Sequence, residues 1–266
     1  MKKLFLFILG ICIATTGCKK KQVKEAAPEQ TQTAGATYTA KAAPPANADI
    51  LWYNNNAPEE LMIERIKPSK DEKSGYELVE EDITAVWVAD IKNGYIVTGG
   101  EGDGGWHTTI ALYLSNTGVF IGKEHEYRGW MWYHSTLKFY EVKNTQWTDV
   151  TAAILPVTVD SFFDKDAIAK DWAVLTAALE KKQKLKIKNL SDLFTVTGEL
   201  PRYGTDVKAG VVAFNEKNNP FIEIKHEGNK YNYTDSEIAA YERICAAAKK
   251  ITLSWNMSTG KFDVKK

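Results

Sequence analysis

Three of the four histidines, His107, His125 and His134, fall within 28 positions, and Glu124 and Glu126 flank the middle one. Imidazole nitrogens and carboxylate oxygens are zinc-type donors, but they must converge at about 2 Å from a single ion. These positions lack the short paired spacings of zinc motifs, so they read as surface or hydrogen-bonded side chains, and no metal or other cofactor is expected. The run Gly99-Gly100-Glu101-Gly102-Asp103-Gly104-Gly105 sets five glycines around two carboxylates. Glycines admit a close ligand and carboxylates suit calcium, yet the spacing is not that of an EF-hand. The run follows one strand pattern and precedes another, so it reads as a strand connection. Glu101, Asp103, Glu124, Glu126, Asp149 and Asp160 are raw material for a hydrolase, with no pair distinguished. The sequence has no nucleophile elbow, Walker loop or dinucleotide fingerprint. Cys245 lies on the apolar stripe of a predicted helix, where a free thiol behaves as a small hydrophobe.

The most promising surface is the segment Trp130 to Val142 (WMWYHSTLKFYEV). In a strand, alternate side chains share a face. Met131, Tyr133, Leu137 and Phe139 make the better core face and send Trp130, Trp132, His134, Thr136, Lys138 and Tyr140 to the other side. Two tryptophans at i and i+2 stand about 7 Å apart and could stack on a flat apolar ligand or a sugar. Trp130, Trp132, His134 and Tyr140 are therefore the predicted ligand-binding residues, with Glu126 and Arg128 as polar partners. The competing reading is that an amphipathic helix bearing Trp172 covers this face.

Short alternating segments surround these residues: Ile83 to Ala89, Gly94 to Thr98, Trp106 to Leu114 and Val119 to Gly122, then Phe194 to Thr197, Val207 to Phe214, Phe221 to Lys225, Lys250 to Trp255 and Lys261 to Lys265. Such segments, bounded by Gly, Asn and Ser, predict strands. Ser115-Asn116-Thr117-Gly118 predicts a tight hairpin. Trp106, Ile110, Leu112 and Leu114 share parity and predict a core face, opposite His107, Thr109, Ala111 and Tyr113. Ile168, Trp172, Leu175 and Leu179 recur at helical spacing and predict a helix over Asp166 to Lys182. Thr234-Asp235-Ser236-Glu237 matches a capping box ahead of Ile238, Tyr241, Cys245 and Ala248. The expected fold class is α+β, a β-rich antiparallel sheet or sandwich-like domain with two amphipathic helices.

The chain has 266 residues with 34 basic and 34 acidic side chains, 44% hydrophobic and 26% charged. This is the composition of a globular protein and excludes collagenous, wholly disordered and polytopic membrane classes. Nothing in the charge attracts nucleic acid in bulk.

The N-terminus carries an address. Met1-Lys2-Lys3 is positive, Leu4 to Ala14 is apolar, and Thr15-Thr16-Gly17 precede Cys18. From Leu4 to Gly17 the uncharged stretch is 14 residues, short of the roughly 20 a membrane-spanning helix needs. This pattern resembles the signal peptide and lipobox of bacterial lipoproteins over residues 1–18. The resemblance implies removal of residues 1–17 and lipidation of Cys18. It also implies a membrane partner held through that fatty acylation, such as palmitate, and an envelope location, with Lys19 favouring the outer membrane. Thr15 stands where the usual lipobox has leucine, so ordinary cleavage nearby is the alternative.

With Cys12 removed and Cys18 acylated, Cys245 is left without a disulfide partner. Residues 18–48, rich in Ala, Gln, Thr, Lys and Pro, read as a flexible tether, and residues 49–266 as one globular domain. Three functions are expected from these features. The first is non-catalytic binding of a glycan, peptide or protein partner. The second is hydrolysis of an envelope or extracellular polymer. The third is a structural or assembly role.

Overall fold

A computed structural model describes residues 35–80, 84–100, 105–128, 133–213 and 231–265. The strands, in chain order, are β1 (Thr37–Thr39), β2 (Ile66–Pro68), β3 (Tyr76–Leu78), β4 (Thr84–Asp90), β5 (Tyr95–Gly100), β6 (Trp106–Ser115), β7 (Gly118–Arg128), β8 (Tyr133–Lys143), β9 (Gln146–Asp149), β10 (Thr195–Glu199), β11 (Val207–Val212), β12 (Ile251–Asn256) and β13 (Lys261–Val264). The helices are α1 (Ile50–Asn56), α2 (Thr151–Ile154), α3 (Lys165–Gln183) and α4 (Asp235–Ala247). The fold is α+β and β-rich, as its sequence pattern leads one to expect.

Strands β1 and β4 to β9 form a seven-stranded antiparallel sheet in the order β1-β9-β8-β7-β6-β5-β4, and β10 to β13 form a second sheet of four. The long hairpin β6–β7 sets the register of the first. At its turn the Ser115 hydroxyl accepts hydrogen bonds from the amides of Thr117 (3.0 Å) and Gly118 (3.1 Å). That local closure places Ser115 opposite Gly118 and fixes every pair outward to Trp106 opposite Tyr127. Gly94, just before β5, has φ +68° and could not carry a side chain, because a Cβ there would stand 2.9 Å from that of Leu112.

Both faces of the large sheet are covered. Ala111, Tyr113, Phe120, Leu137 and Phe139 join Val207, Ala209, Leu253, Trp255 and Phe262 of the small sheet and Ile168, Leu175 and Leu179 of α3 in one core. Tilted and edge-to-face rings knit the two sheets together, Trp255 and Phe262 lying 5.3 and 5.5 Å from Tyr113 between ring centroids. On the other face Ile96, Ile110, Ile121, Tyr140, Val142 and Trp147 pack with Ala40, Ile50, Tyr53, Leu61 and Ile66. Alternation on β6 therefore separates two cores rather than core from solvent. Ile110 belongs to one and Ala111 and Tyr113 to the other, while Leu114, expected inside, is 53% exposed at the hairpin tip.

The predicted helix over 166–182 is α3, and its Trp172 packs against the core shared with Leu137 and Phe139. It does not cover the Tyr140 face, which is closed instead by α1 and the segments around it. The capping box at α4 is formed: the Thr234 hydroxyl accepts from the Glu237 amide (3.3 Å), and the Glu237 carboxylate accepts from the Thr234 amide (2.7 Å). Ala240 and Ile244 are the buried centre of α4, with Tyr241 and half-buried Cys245 beside them. Arg243 clamps Asp171 of α3 with two bonds of 2.7 and 3.0 Å. No helix among the described residues is long and apolar enough to cross a membrane.

The folded region reaches further toward the N-terminus than composition indicates. Thr37, Tyr38 and Thr39 pair with Thr148, Trp147 and Gln146. The Gly35 amide donates to the Asp149 carbonyl and the Asp149 amide to the Ala36 carbonyl, both at 2.8 Å. Residues 35–48, assigned to a tether on composition alone, thus include an edge strand. Three consecutive polar and aromatic residues are too short a stretch for periodicity to register.

Candidate functional site

Pairing carries each long strand's even and odd residues to opposite faces. His134, Thr136, Lys138 and Tyr140 of β8 share a face with Lys123 and His125 of β7 and with Trp106 and Thr108 of β6. This is the face predicted to bind ligand. Tyr140 is 0% exposed and sits edge-on to Tyr38 (ring centroids 6.1 Å apart), with Trp147 at 6.3 Å. It is a core residue and offers nothing to a ligand. His134 is also buried, with the His125 ring 6.4 Å away, and His125 Nδ1 lies 2.9 Å from the Thr108 hydroxyl. Trp130 and Trp132 lie outside the described residues, as do Glu101 and Asp103 of the glycine run.

The opposite face carries a cluster that sequence spacing does not reveal. His107 of β6 stands directly across from Glu126 of β7, and Thr109 across from Glu124. The potential ligand atoms of His107, Glu124 and Glu126 all lie within 4.8 Å of one another, with His107 Nε2 4.0 Å from Glu124 Oε1. Glu124 and Glu126 are 6 and 7% exposed, while His107 is half-buried. Hydroxyl groups border the carboxylates. Ser135 lies across from Glu126 on β8 and hydrogen-bonds Thr197 of β10. Tyr95 hydrogen-bonds Thr109; burial pushes its phenol above the ordinary range, and the negative charge of Glu124 adds to that.

Trp87 of β4 completes the site. It is 47% exposed, and its ring centre lies 5.9 Å from that of His107 at 40°. The indole rests over Gly99, where a Cβ would approach it to 2.6 Å and the Trp106 carbonyl oxygen to 2.7 Å. Glycine at this one position of β5 lets the large ring lie down against the sheet beside His107. A half-exposed aromatic ring thus adjoins a half-buried imidazole, and that imidazole adjoins two buried carboxylates on the same face of the sheet. A separate pocket of about 270 Å³, lined by Pro58, Glu59, Glu64, Arg65 and Glu80 among others, shares no residue with this cluster.

No family model, no curated protein and no solved structure matches this chain.

Proposed function

We propose that this chain is an envelope-anchored lipoprotein whose folded domain binds a hydroxyl-rich ligand, a glycan, without catalysis, on the shelf formed by Trp87 and His107 beside Glu124 and Glu126. The carrying observation is the half-exposed indole of Trp87 lying over Gly99 beside His107, whose imidazole adjoins two carboxylates. Sugar rings stack on aromatic faces while their hydroxyls hydrogen-bond adjoining polar groups, here the half-buried imidazole of His107. Hydrolysis is less well supported. Glycosidase carboxylates flank the scissile bond from two sides, whereas Glu124 and Glu126 project from the same face of one strand.

Replacing Trp87 with alanine is expected to cost only about 1 to 2 kcal/mol of stability, because half its surface is already in water. The same change should abolish retention of the chain on envelope polysaccharide and on soluble oligosaccharides, followed by intrinsic fluorescence. Unchanged retention would remove the shelf. Binding of peptides but not sugars, still dependent on Trp87, would reassign its ligand class.

The anchoring part of the proposal rests on Lys2 to Cys18. Cells supplied with a fatty-acid analogue should label the wild type, and the Cys18→Ser variant should carry no label. Equal labelling of both would refute lipidation at Cys18.

A further inference from the structure

We propose that His107, Glu124 and Glu126 form a binding site for a divalent transition-metal cation of the zinc class. The site shares His107 with the glycan shelf but does not depend on any sugar being bound.

The scaffold is stiff where stiffness is needed. All three residues stand on adjacent strands of 10 and 11 residues in the middle of a seven-stranded sheet. Glu124 and Glu126 are two apart and so share a face, and pairing places His107 opposite Glu126. The backbone brings the donors together with no loop involved.

The distances suit closure on an ion. Zinc takes imidazole nitrogen and carboxylate oxygen at about 2.0 to 2.2 Å, which in a tetrahedral shell separates neighbouring donors by roughly 3.4 Å. The donors here lie within 4.8 Å of one another. Contraction by up to about 1.4 Å is within reach of glutamate side chains, whose terminal torsion is broad.

Electrostatics favours the same occupant. A dication held between two carboxylates this close, each more than nine-tenths buried, is attracted to both more strongly than it would be in water. The donor set selects the metal class. Calcium and magnesium favour all-oxygen shells of six or more ligands, whereas one nitrogen with two oxygens suits zinc. Three protein donors leave a fourth position open, the arrangement of zinc sites that engage a further ligand.

The test uses the full chain, stripped with a chelator and dialysed against zinc alone, with bound metal quantified and the melting temperature recorded. Wild type should retain one zinc more than His107→Ala and than Glu126→Gln, and should melt at a higher temperature with zinc than without. Affinity at this site should fall at least tenfold in Glu124→Gln. His125→Ala, on the opposite face, should keep the full stoichiometry. If an acidic variant fails to fold, cobalt(II) added to the wild type still decides the matter: visible bands that zinc displaces are expected, and they should be missing in His107→Ala. No zinc uptake by wild type, or equal uptake by wild type and His107→Ala, would overturn the proposal. Trp87→Phe should keep its zinc, so failure of the shelf and failure of the metal site are read separately.

Discussion

Tyr140→Ala is expected to lower unfolding stability by about 3 to 5 kcal/mol, the cost of removing a large ring from a core and leaving a cavity. Tyr140 has no exposed surface, and Tyr38 and Trp147 contact it edge-on or tilted. Neither neighbour can refill the space easily, since both belong to the sheet edge formed by β1 and β9. Denaturant unfolding should show a lower midpoint with an unchanged slope, because the surface exposed on unfolding barely alters. A loss below about 1 kcal/mol would place the ring at the surface and restore it as a ligand-binding candidate. Trp87→Ala, on the other face of the sheet, is expected to show the reverse pattern, with small stability loss and full loss of binding.

That contrast indicates what can be read from this sequence and what cannot. Strand periodicity, the Ser115 to Gly118 turn and the Thr234 capping box are local, and each appears near its expected position among the described residues, outside which Phe221 to Lys225 lies. The choice of exposed face is not local. Alternation along β8 correctly separates Tyr140 from Phe139, but both sides are buried, because residues from 40 to 66 supply a second layer over one face. A short helix such as α1, seven residues with an Asp49 cap, has no periodic stripe by which to announce itself.

The His107 cluster was legible in principle. Once Ser115 faces Gly118, opposite residues on β6 and β7 have numbers that add to 233, which pairs His107 with Glu126 and Thr109 with Glu124. Ending the β7 strand at Gly122 hides this. Lys123, Glu124 and Glu126 break the apolar pattern, and their burial comes from neighbouring strands and layers that no local pattern in β7 announces. His125 and His134, adjacent in sequence to the acids or to the tryptophans, point to the other face and join no metal-type cluster with His107. Sequence proximity misleads here, and register decides.

A chain beginning at Asp49 is expected to be less stable than one beginning at Gly35 by about 2 to 4 kcal/mol, although composition assigns the missing residues to a tether. The segment contributes the Gly35 amide bond to Asp149, the Asp149 amide bond to Ala36 and the Ala40 amide bond to Thr145. Each is worth about 1 kcal/mol net. It also places Tyr38 against Tyr140 and buries Ala40 in the core beneath α1. The conformational entropy lost in ordering so short a strand offsets part of these gains and keeps the net figure small. For a domain of this size the difference corresponds to a fall of roughly 5 to 15 °C in melting temperature. Losing β1 would also uncover the backbone edge of Gln146–Asp149, so the shorter chain should self-associate on concentration where the longer one does not. Equal melting temperatures and equal solubility would show that β1 adds nothing to the fold and would restore Asp49 as the start of the domain.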